Sequence, residues 1–512
     1  MFRKNRLMGG LCAAAILGLA SGAFAADNAK NVILMVSDGL GFNGWEAARY
    51  YQGSLPYDNA GFKFYGMTTY MHNVYDNDLD RELLSNGEAN GKDAATKNWT
   101  AMPQGYDPAQ MWTDFNYHRG DDKGDYNSFT DSAAAATAMY TGQKTYNSAV
   151  SYSVDGQDIP TFFEQAARLG KATGSISSVQ FNHATPACVD AHSYFRYNKD
   201  ELGWEMVNSD LDVIMGGDAY VDAQYDPNTG ELESTDYEDH GNGVGVPGWK
   251  ADAEDRGFTV VDTDAEWADL ESGALKPNKV AGLFTGSTLD GRTTPTLEQM
   301  TRGTLNVLED KPDGFALMVE GGAVDWQNHD NDVDLMMREQ VDFDNSVQAV
   351  MDWITDDTNN SSWDNTLLIV TSDHETGGIW GPETVTDFGT LGSGDEDGHL
   401  DDTIAGTWNK VVDNGEGVMP GVQYTSGGHT NVLVPLWVKG AGDELFEQFA
   451  TGLDTQADAF WTEDQGWMWD GRYVDNTNIY DVMAEASNIP EPTTMVLLGA
   501  GGLLMLRRRR SA

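Results

Sequence analysis

A serine stands directly after an aspartate at the start of a small-residue segment, Thr130-Asp131-Ser132-Ala133-Ala134-Ala135-Ala136-Thr137-Ala138. The composition of this segment predicts a helix that begins near Ser132. The start of a helix carries unpaired N–H groups and the positive end of its dipole, which favour bound phosphate. An Asp131-Ser132 pair alone is typical of an ordinary N-cap, so a reactive serine here needs partners elsewhere in the chain.

Acidic and imidazole side chains with the spacing of metal ligands occur in three further segments. Asp325 and His329 are four residues apart, so one helical turn would place them on the same face. Asp373-His374 follows an apolar run, and His429 stands in a glycine turn. Zinc favours this mixture of carboxylate and imidazole ligands. Together with Ser132, these residues predict a metal-activated hydrolase of phosphate esters.

The elements that must position these residues follow an alternating pattern. Short apolar runs end abruptly in polar residues and glycine at 31–36, 315–319 and 366–371, which predicts buried strands. Helical patterns occur at 161–169, 297–308 and 333–354. The alternation predicts an α/β fold, with a mostly parallel central sheet and helices on both faces. Because the acids fall just past strand ends, four segments should meet at one edge of the sheet.

Three long polar stretches interrupt this pattern, at about 71–127, 217–263 and 377–426. We interpret them as insertions over the active-site edge of one domain at 26–487. The formal net charge of −50 argues strongly against a nucleic-acid partner. The same charge would repel anionic substrates unless metal ions reversed the local field.

Both ends of the chain are typical of targeting segments. Basic residues, a short apolar run and small residues at 23 and 25 predict a secretory signal peptide at 1–25. At 488–512, a Pro-Glu-Pro motif, an apolar stretch and four arginines resemble the PEP-CTERM sorting signals of Gram-negative bacteria. The resemblance implies transient inner-membrane anchoring, cleavage by a processing protease, and release to the periplasm, cell surface or medium. A permanent C-terminal anchor is the alternative. Removal of the signal peptide would also remove Cys12. Cys188 would then be the lone cysteine, and we expect it to pack as a small buried hydrophobic residue.

The reactive segments together resemble the alkaline phosphatase family. They follow the family order from residue 32 to about 435 and comprise Val36-Ser37-Asp38-Gly39-Leu40-Gly41, Thr130-Asp131-Ser132-Ala133-Ala134, His183-Ala184-Thr185-Pro186-Ala187, Arg196, 320–329, 371–375 and Gly427-Gly428-His429-Thr430. The resemblance implies a metal-dependent phosphate-monoester hydrolase. It would act through a phosphoserine intermediate and release inorganic phosphate outside the cytoplasm.

The resemblance also implies a ligand set for three metal ions. One zinc would be held by Asp325, His329 and His429, and the other by Asp38, Asp373 and His374. Asp38, Thr185 and Glu320 resemble the ligands of a third ion, usually magnesium. The implied cofactors are therefore two Zn²⁺ and one Mg²⁺, and the implied assembly is a homodimer.

Four further residues would act on the substrate. Ser132 matches the nucleophile of the family, and Arg196 matches the clamp that grips two phosphate oxygens. His183 and Trp326 stand where some family members carry aspartate and lysine. His183 would reach the third metal through water, ligate it directly with zinc as the alternative ion, or hydrogen-bond the phosphate. Trp326 would offer an indole N–H to the phosphate, or else pack at the pocket rim.

The same residues also bear on three other functions. A sulfatase is excluded because its nucleophile motif requires proline and arginine, whereas Ser132 precedes two alanines. A phosphodiesterase of the same superfamily remains an alternative, although Arg196 favours monoesters. A non-catalytic surface or matrix protein is the other alternative, and the intact ligand set argues against it.

Overall fold

The computed structural model describes nine stretches of the chain: 29–72, 105–112, 129–217, 224–225, 232–234, 246–284, 295–384, 408–462 and 469–490. The predicted signal peptide, nearly all of the sorting segment and large parts of the three predicted insertions lie outside these residues. No helix within the described stretches combines the length and the apolar character needed to cross a membrane.

The strands in the described residues are β1 (Asn31–Ser37), β2 (Lys63–Thr68), β3 (Ala172–Gln180), β4 (Val213–Gly217), β5 (Gln224–Tyr225), β6 (Leu232–Ser234), β7 (Thr259–Val261), β8 (Val280–Phe284), β9 (Phe315–Gly321), β10 (Thr366–Thr371), β11 (Glu375–Thr376), β12 (Ile379–Trp380), β13 (Gln423–Tyr424), β14 (His429–Thr430), β15 (Val434–Gly440), β16 (Gly452–Leu453) and β17 (Arg472–Asp475). Eleven of them form one sheet in the order β16-β17-β2-β15-β10-β1-β9-β3-β4-β8-β7. The run from β10 to β7 is parallel throughout. The predicted mostly parallel sheet is confirmed.

The helices are α1 (Phe42–Gln52), α2 (Pro108–Met111), α3 (Ser132–Thr141), α4 (Phe162–Arg168), α5 (Ala184–Ala187), α6 (Lys199–Asn208), α7 (Val246–Asp255), α8 (Asp264–Glu271), α9 (Leu297–Leu308), α10 (Ala323–His329), α11 (Val333–Ile354), α12 (Thr455–Thr462) and α13 (Asn478–Ala486), with a 3₁₀ turn at Asp443–Gln448. They cover both faces of the sheet. Along β1, Leu34 packs in the core that contains α3, α4 and α13. Its neighbour Met35 points the other way, into the core that contains α1, α9 and α11.

Three adjacent strands, β10, β1 and β9, end at nearly the same level beside β3 and create the edge that carries the site. Val36 of β1 lies opposite Thr371 of β10 and Glu320 of β9, and Ser177 of β3 lies opposite Glu320. The residues that follow these strands are therefore brought together. Glu320 itself lies inside β9, which extends two residues beyond the predicted end at 319.

Two of the predicted insertions have helices or strands at their ends. The stretch 217–263 contains α7 and β7, and β7 joins the edge of the main sheet beside β8. The C-terminal end of this predicted insertion therefore includes a strand of only three residues, partly exposed, at the edge of the main sheet. At 377–426, β12 pairs antiparallel with β13, so the two ends of that stretch meet.

Candidate active site

Ser132 is the first residue of α3 and points into the site at the edge of the sheet. The side chain of Asp131 caps the helix by accepting a hydrogen bond of 2.9 Å from the N–H of Ala134. Ser132 Oγ lies 3.2 Å from Nε2 of His374, and both side chains are buried. The structure therefore places the predicted reactive serine at a helix start and against a predicted metal ligand.

Asp325, His329 and His429 converge on one point. Oδ2 of Asp325 lies 3.4 Å from Nε2 of His329, and Oδ1 lies 3.8 Å from Nε2 of His429. The two Nε2 atoms are 3.1 Å apart. Each Nδ1 lies 2.7 Å from a backbone carbonyl, that of Gly427 for His329 and that of Thr130 for His429. Each Nδ1 therefore donates to its carbonyl, so Nε2 is the nitrogen of each ring that can bind a metal once it is deprotonated.

Asp38, Asp373 and His374 form a second cluster under Ser132. Nε2 of His374 lies 3.5 Å from Oδ1 of Asp38 and 3.2 Å from Oδ2 of Asp373. All three side chains are fully buried. Among the described residues, neither carboxylate oxygen of Asp38 has a hydrogen-bond donor, and Oδ2 of Asp373 also lacks one. Buried carboxylate oxygens without donors are unstable unless a cation balances them.

A third group of oxygen atoms lies beside Asp38. Glu320 accepts a short hydrogen bond from the hydroxyl of Ser177 through Oε2. Its other oxygen and the hydroxyl of Thr185 are buried, and within the described stretches neither has a hydrogen-bond partner. A set made only of oxygen donors suits magnesium, whereas the mixed carboxylate and imidazole sets suit zinc.

The electrostatics of the site favour bound cations. Burial raises the pKa of Asp38 well above its ordinary value, and repulsion from Asp373, Asp325 and Glu320 raises this pKa further. Burial likewise raises the pKa of Glu320 and of Asp373. The pKa of Asp325 is lowered, because His329 and His429 outweigh the opposing effect of burial. Divalent cations would neutralise this charge, so the residues present fit metal ions.

Arg196 and His183 contact each other next to Asp131, the residue that caps α3. The guanidinium donates through Nη1 to Oδ2 of Asp131 at 2.9 Å, and Nη2 lies 3.3 Å from Nε2 of His183. Burial, and then the charge of Arg196, lowers the pKa of His183 well below its ordinary value. His183 is therefore neutral and accepts from Arg196 through Nε2. Trp326 meets its ring edge-on, with centroids 5.7 Å apart, and is partly exposed.

Two residues of the site escaped the sequence reasoning. Thr376, in β11, donates to Oδ1 of Asp325 at 2.6 Å. Ser177, in β3, bonds Glu320. A threonine two positions after a predicted ligand and a serine inside a buried strand are weak signals by themselves. Cys188 is buried as expected, with its sulfur 3.6 Å from the hydroxyl of Thr137 and 3.5 Å from the carbonyl oxygen of Ala133.

Comparison with known families agrees with this geometry. Residues 108–401, more than half of the chain, match the family described as alkaline phosphatase. Residues 488–510 match the PEP-CTERM protein-sorting motif. Both predicted resemblances are confirmed.

Curated relatives carry the same family name. Alkaline phosphatase 3 of Bacillus subtilis is 31% identical over 359 residues, which cover 69% of this chain and 62% of that protein. Alkaline phosphatase 4 of the same organism is 34% identical over 274 residues, which cover 50% of this chain and 51% of that protein. This chain thus spans less than two thirds of the length of these two relatives. The alkaline phosphatase of Escherichia coli is 27% identical, with 68% of this chain and 70% of that protein covered.

Solved structures show the same fold. The alkaline phosphatase from the Antarctic bacterium TAB5 has a TM-score of 0.56 at 21% identity, with 90% of this chain and 99% of that chain covered. The alkaline phosphatase of Thermus thermophilus has a TM-score of 0.56 at 20% identity, with 93% and 95% covered. With the family match over more than half of its length, the chain belongs to the alkaline phosphatase family.

Proposed function

We propose that this protein is a metal-dependent phosphatase that hydrolyses phosphate monoesters through a phosphoserine at Ser132. The observation that carries the proposal is the position of Ser132 Oγ. It stands at the start of α3, 3.2 Å from Nε2 of His374, and the neighbouring Asp131 accepts from the guanidinium of Arg196. Nucleophile, metal ligands and anion clamp thus surround one point, as phosphoryl transfer requires.

The metal ions would occupy three groups of residues. Asp325, His329 and His429 would hold one zinc, and Asp38, Asp373 and His374 a second. Glu320 and Thr185, together with Asp38, would hold magnesium. Magnesium is favoured over zinc at this third position because His183 uses Nε2 to accept from Arg196. When bound, the zinc ions would activate the serine hydroxyl and stabilise the leaving oxygen of the ester.

The protein residues prepare the phosphate for attack. The N–H groups at the start of α3 favour the anion, and Ser132 is the first residue of this helix. Asp131 accepts from Arg196 and also, through the same Oδ2, from the N–H of Ser148 at 2.9 Å. This holds the guanidinium in place before substrate arrives. Attack of Ser132 Oγ on phosphorus would release the alcohol, and water would then release phosphate and restore the hydroxyl.

His183 and Trp326 would shape the phosphate pocket from the side of Arg196. Neutral His183 orients the guanidinium and adds no charge of its own. Trp326 packs against the edge of the His183 ring, which supports the role at the pocket rim. A pocket with a single fixed cation would hold phosphate less tightly than one with an added lysine, which would ease product release.

The test is hydrolysis of a chromogenic phosphate monoester by the purified protein, before and after chelation, with diester and sulfate-ester substrates in parallel. Monoester turnover should disappear with chelator and return with zinc plus magnesium. Ser132→Ala should lose at least about a thousandfold in kcat while still binding zinc. Ser346→Ala is the matched control, because within the described stretches this buried serine donates to the carbonyl of Asp342 in its own helix. Turnover of the diester alone would indicate a phosphodiesterase, and none despite bound metal would indicate a structural role.

We also propose that the protein acts outside the cytoplasm. The sorting motif at 488–510 supports export followed by C-terminal processing, and the predicted signal peptide at 1–25 supports the same route. Phosphate monoesters in the surroundings would then be the substrates. Mass spectrometry of the protein recovered from its producing cells tests this, since an unprocessed C-terminus would contradict it.

A further inference from the structure

Asp325 has a neighbour that also contacts the other metal cluster. One of its oxygens, Oδ1, faces both Nε2 of His429 and the hydroxyl of Thr376. The same threonine hydroxyl lies 3.2 Å from Nδ1 of His374. Thr376 therefore touches one ligand from each of the two zinc groups, although it belongs to neither.

The direction of these two hydrogen bonds follows from the single proton of the hydroxyl. A ligating carboxylate such as Asp325 accepts only, so the proton of Thr376 is directed to Oδ1, at 2.6 Å. The hydroxyl oxygen must then accept from Nδ1–H of His374. This places the proton of the imidazole on Nδ1 and turns the Nε2 lone pair towards Asp38, Asp373 and Ser132.

The backbone of Thr376 is held as firmly as its side chain. Thr376 is fully buried, and its N–H donates to the carbonyl of Gly39 at 2.9 Å, beside the ligand Asp38. In the pairing of β11 with β14, Thr376 lies directly opposite His429. The hydroxyl therefore has little freedom to move with either ligand. A displacement of Asp325 would then change the hydrogen bond between Thr376 and His374.

We propose that Thr376 is a positioning residue that couples the two zinc sites. An ion held by Asp325, His329 and His429 would fix the Asp325 carboxylate, and Thr376 would then hold His374 in the tautomer that the second ion needs. Loss of the hydroxyl should weaken the second site even though every ligand remains. This inference rests on the proposed two-zinc function.

The first experiment is a calorimetric titration of the chelator-treated full chain with Zn²⁺ alone. Thr376→Val removes the hydroxyl at nearly constant volume and should lower zinc affinity at the site formed by Asp38, Asp373 and His374 by about 10- to 100-fold. Thr376→Ser restores the hydroxyl and should remain within about threefold of the original protein. Thr304→Val is the matched control, because the bond that this buried threonine on α9 makes among the described residues goes to the sulfur of Met215.

A second measurement reads the tautomer itself, by NMR of histidine labelled with ¹⁵N in the zinc-free proteins. His374 should carry its proton on Nδ1 in the original chain and in Thr376→Ser. In Thr376→Val the proton should move to Nε2, where Asp373 can accept it. Unchanged zinc affinities, or the same tautomer in all three proteins, would overturn the coupling. If the original chain bound no zinc, the proposed function itself would fail instead.

Discussion

Alkaline pH should remove a stabilising ion pair between His192 and Glu164. Nε2 of His192 lies 3.4 Å from Oε2 of Glu164, and Nδ1 lies 2.9 Å from the carbonyl of Ser151. Both ring nitrogens therefore face acceptors, which favours the charged imidazolium. The Glu164 carboxylate also accepts from the N–H of Thr161 in the capping box of α4. Protonation of His192 thus stabilises both the pair and the start of this helix.

The magnitude follows from the pKa of His192, which is raised from 6.5 to about 9. Burial opposes the charge, but Glu164 and the Ser151 carbonyl outweigh it. Because the folded pKa is the higher one, the stabilisation is complete below about pH 6.5 and is lost as the pH rises through about 9. The gap between the two pKa values corresponds to about 3 kcal/mol at full effect. Only 15% and 14% of the two side chains is exposed, so solvent screening reduces this little.

The assay is chemical unfolding of the original protein and of His192→Asn between about pH 6 and pH 10, with chelator present. Asparagine can still donate to the Ser151 carbonyl but cannot be protonated. The difference in the free energy of unfolding between the two proteins should shrink by about 3 kcal/mol over this range. A difference that stays constant with pH would refute the reasoning.

Two further changes test the packing around the site. Gly39→Ala should lower zinc affinity by about tenfold or more, since φ is +73° and the new Cβ would stand 2.7 Å from Oδ1 of Asp325. Gly257→Ala is its control: φ is +88° with no atom within 4 Å, so it should cost only about 1 kcal/mol and leave zinc binding unchanged. Burial raises the pKa of the Cys188 thiol to about 12, so a thiol reagent at mildly alkaline pH should label it only after unfolding. Rapid labelling of the folded protein would contradict that burial.

Local signals were sufficient for much of the secondary structure. The predicted helices at 297–308 and 333–354 and the strand at 366–371 have the bounds that the structure shows. Their ends depend on neighbouring residues, such as the capping box of Thr296 with Gln299 and the Asp332 cap. Where the apolar pattern is weak, as in the three-residue strand β7, the sequence predicts an insertion and the structure shows an edge strand.

Residue types and spacing were enough to predict the candidate reactive residues and a parallel sheet that brings them to one edge. The types and spacing of Asp325 and His329, and of the Asp131-Ser132 pair before alanines, are local properties of the chain. Which nitrogen of each histidine can bind a metal depends instead on contacts made in the tertiary structure. Nδ1 of His429 is held by the carbonyl of Thr130, 299 residues away, and Nδ1 of His374 by Thr376. Such contacts arise from how strands and turns pack over long distances, which periodicity and spacing do not encode.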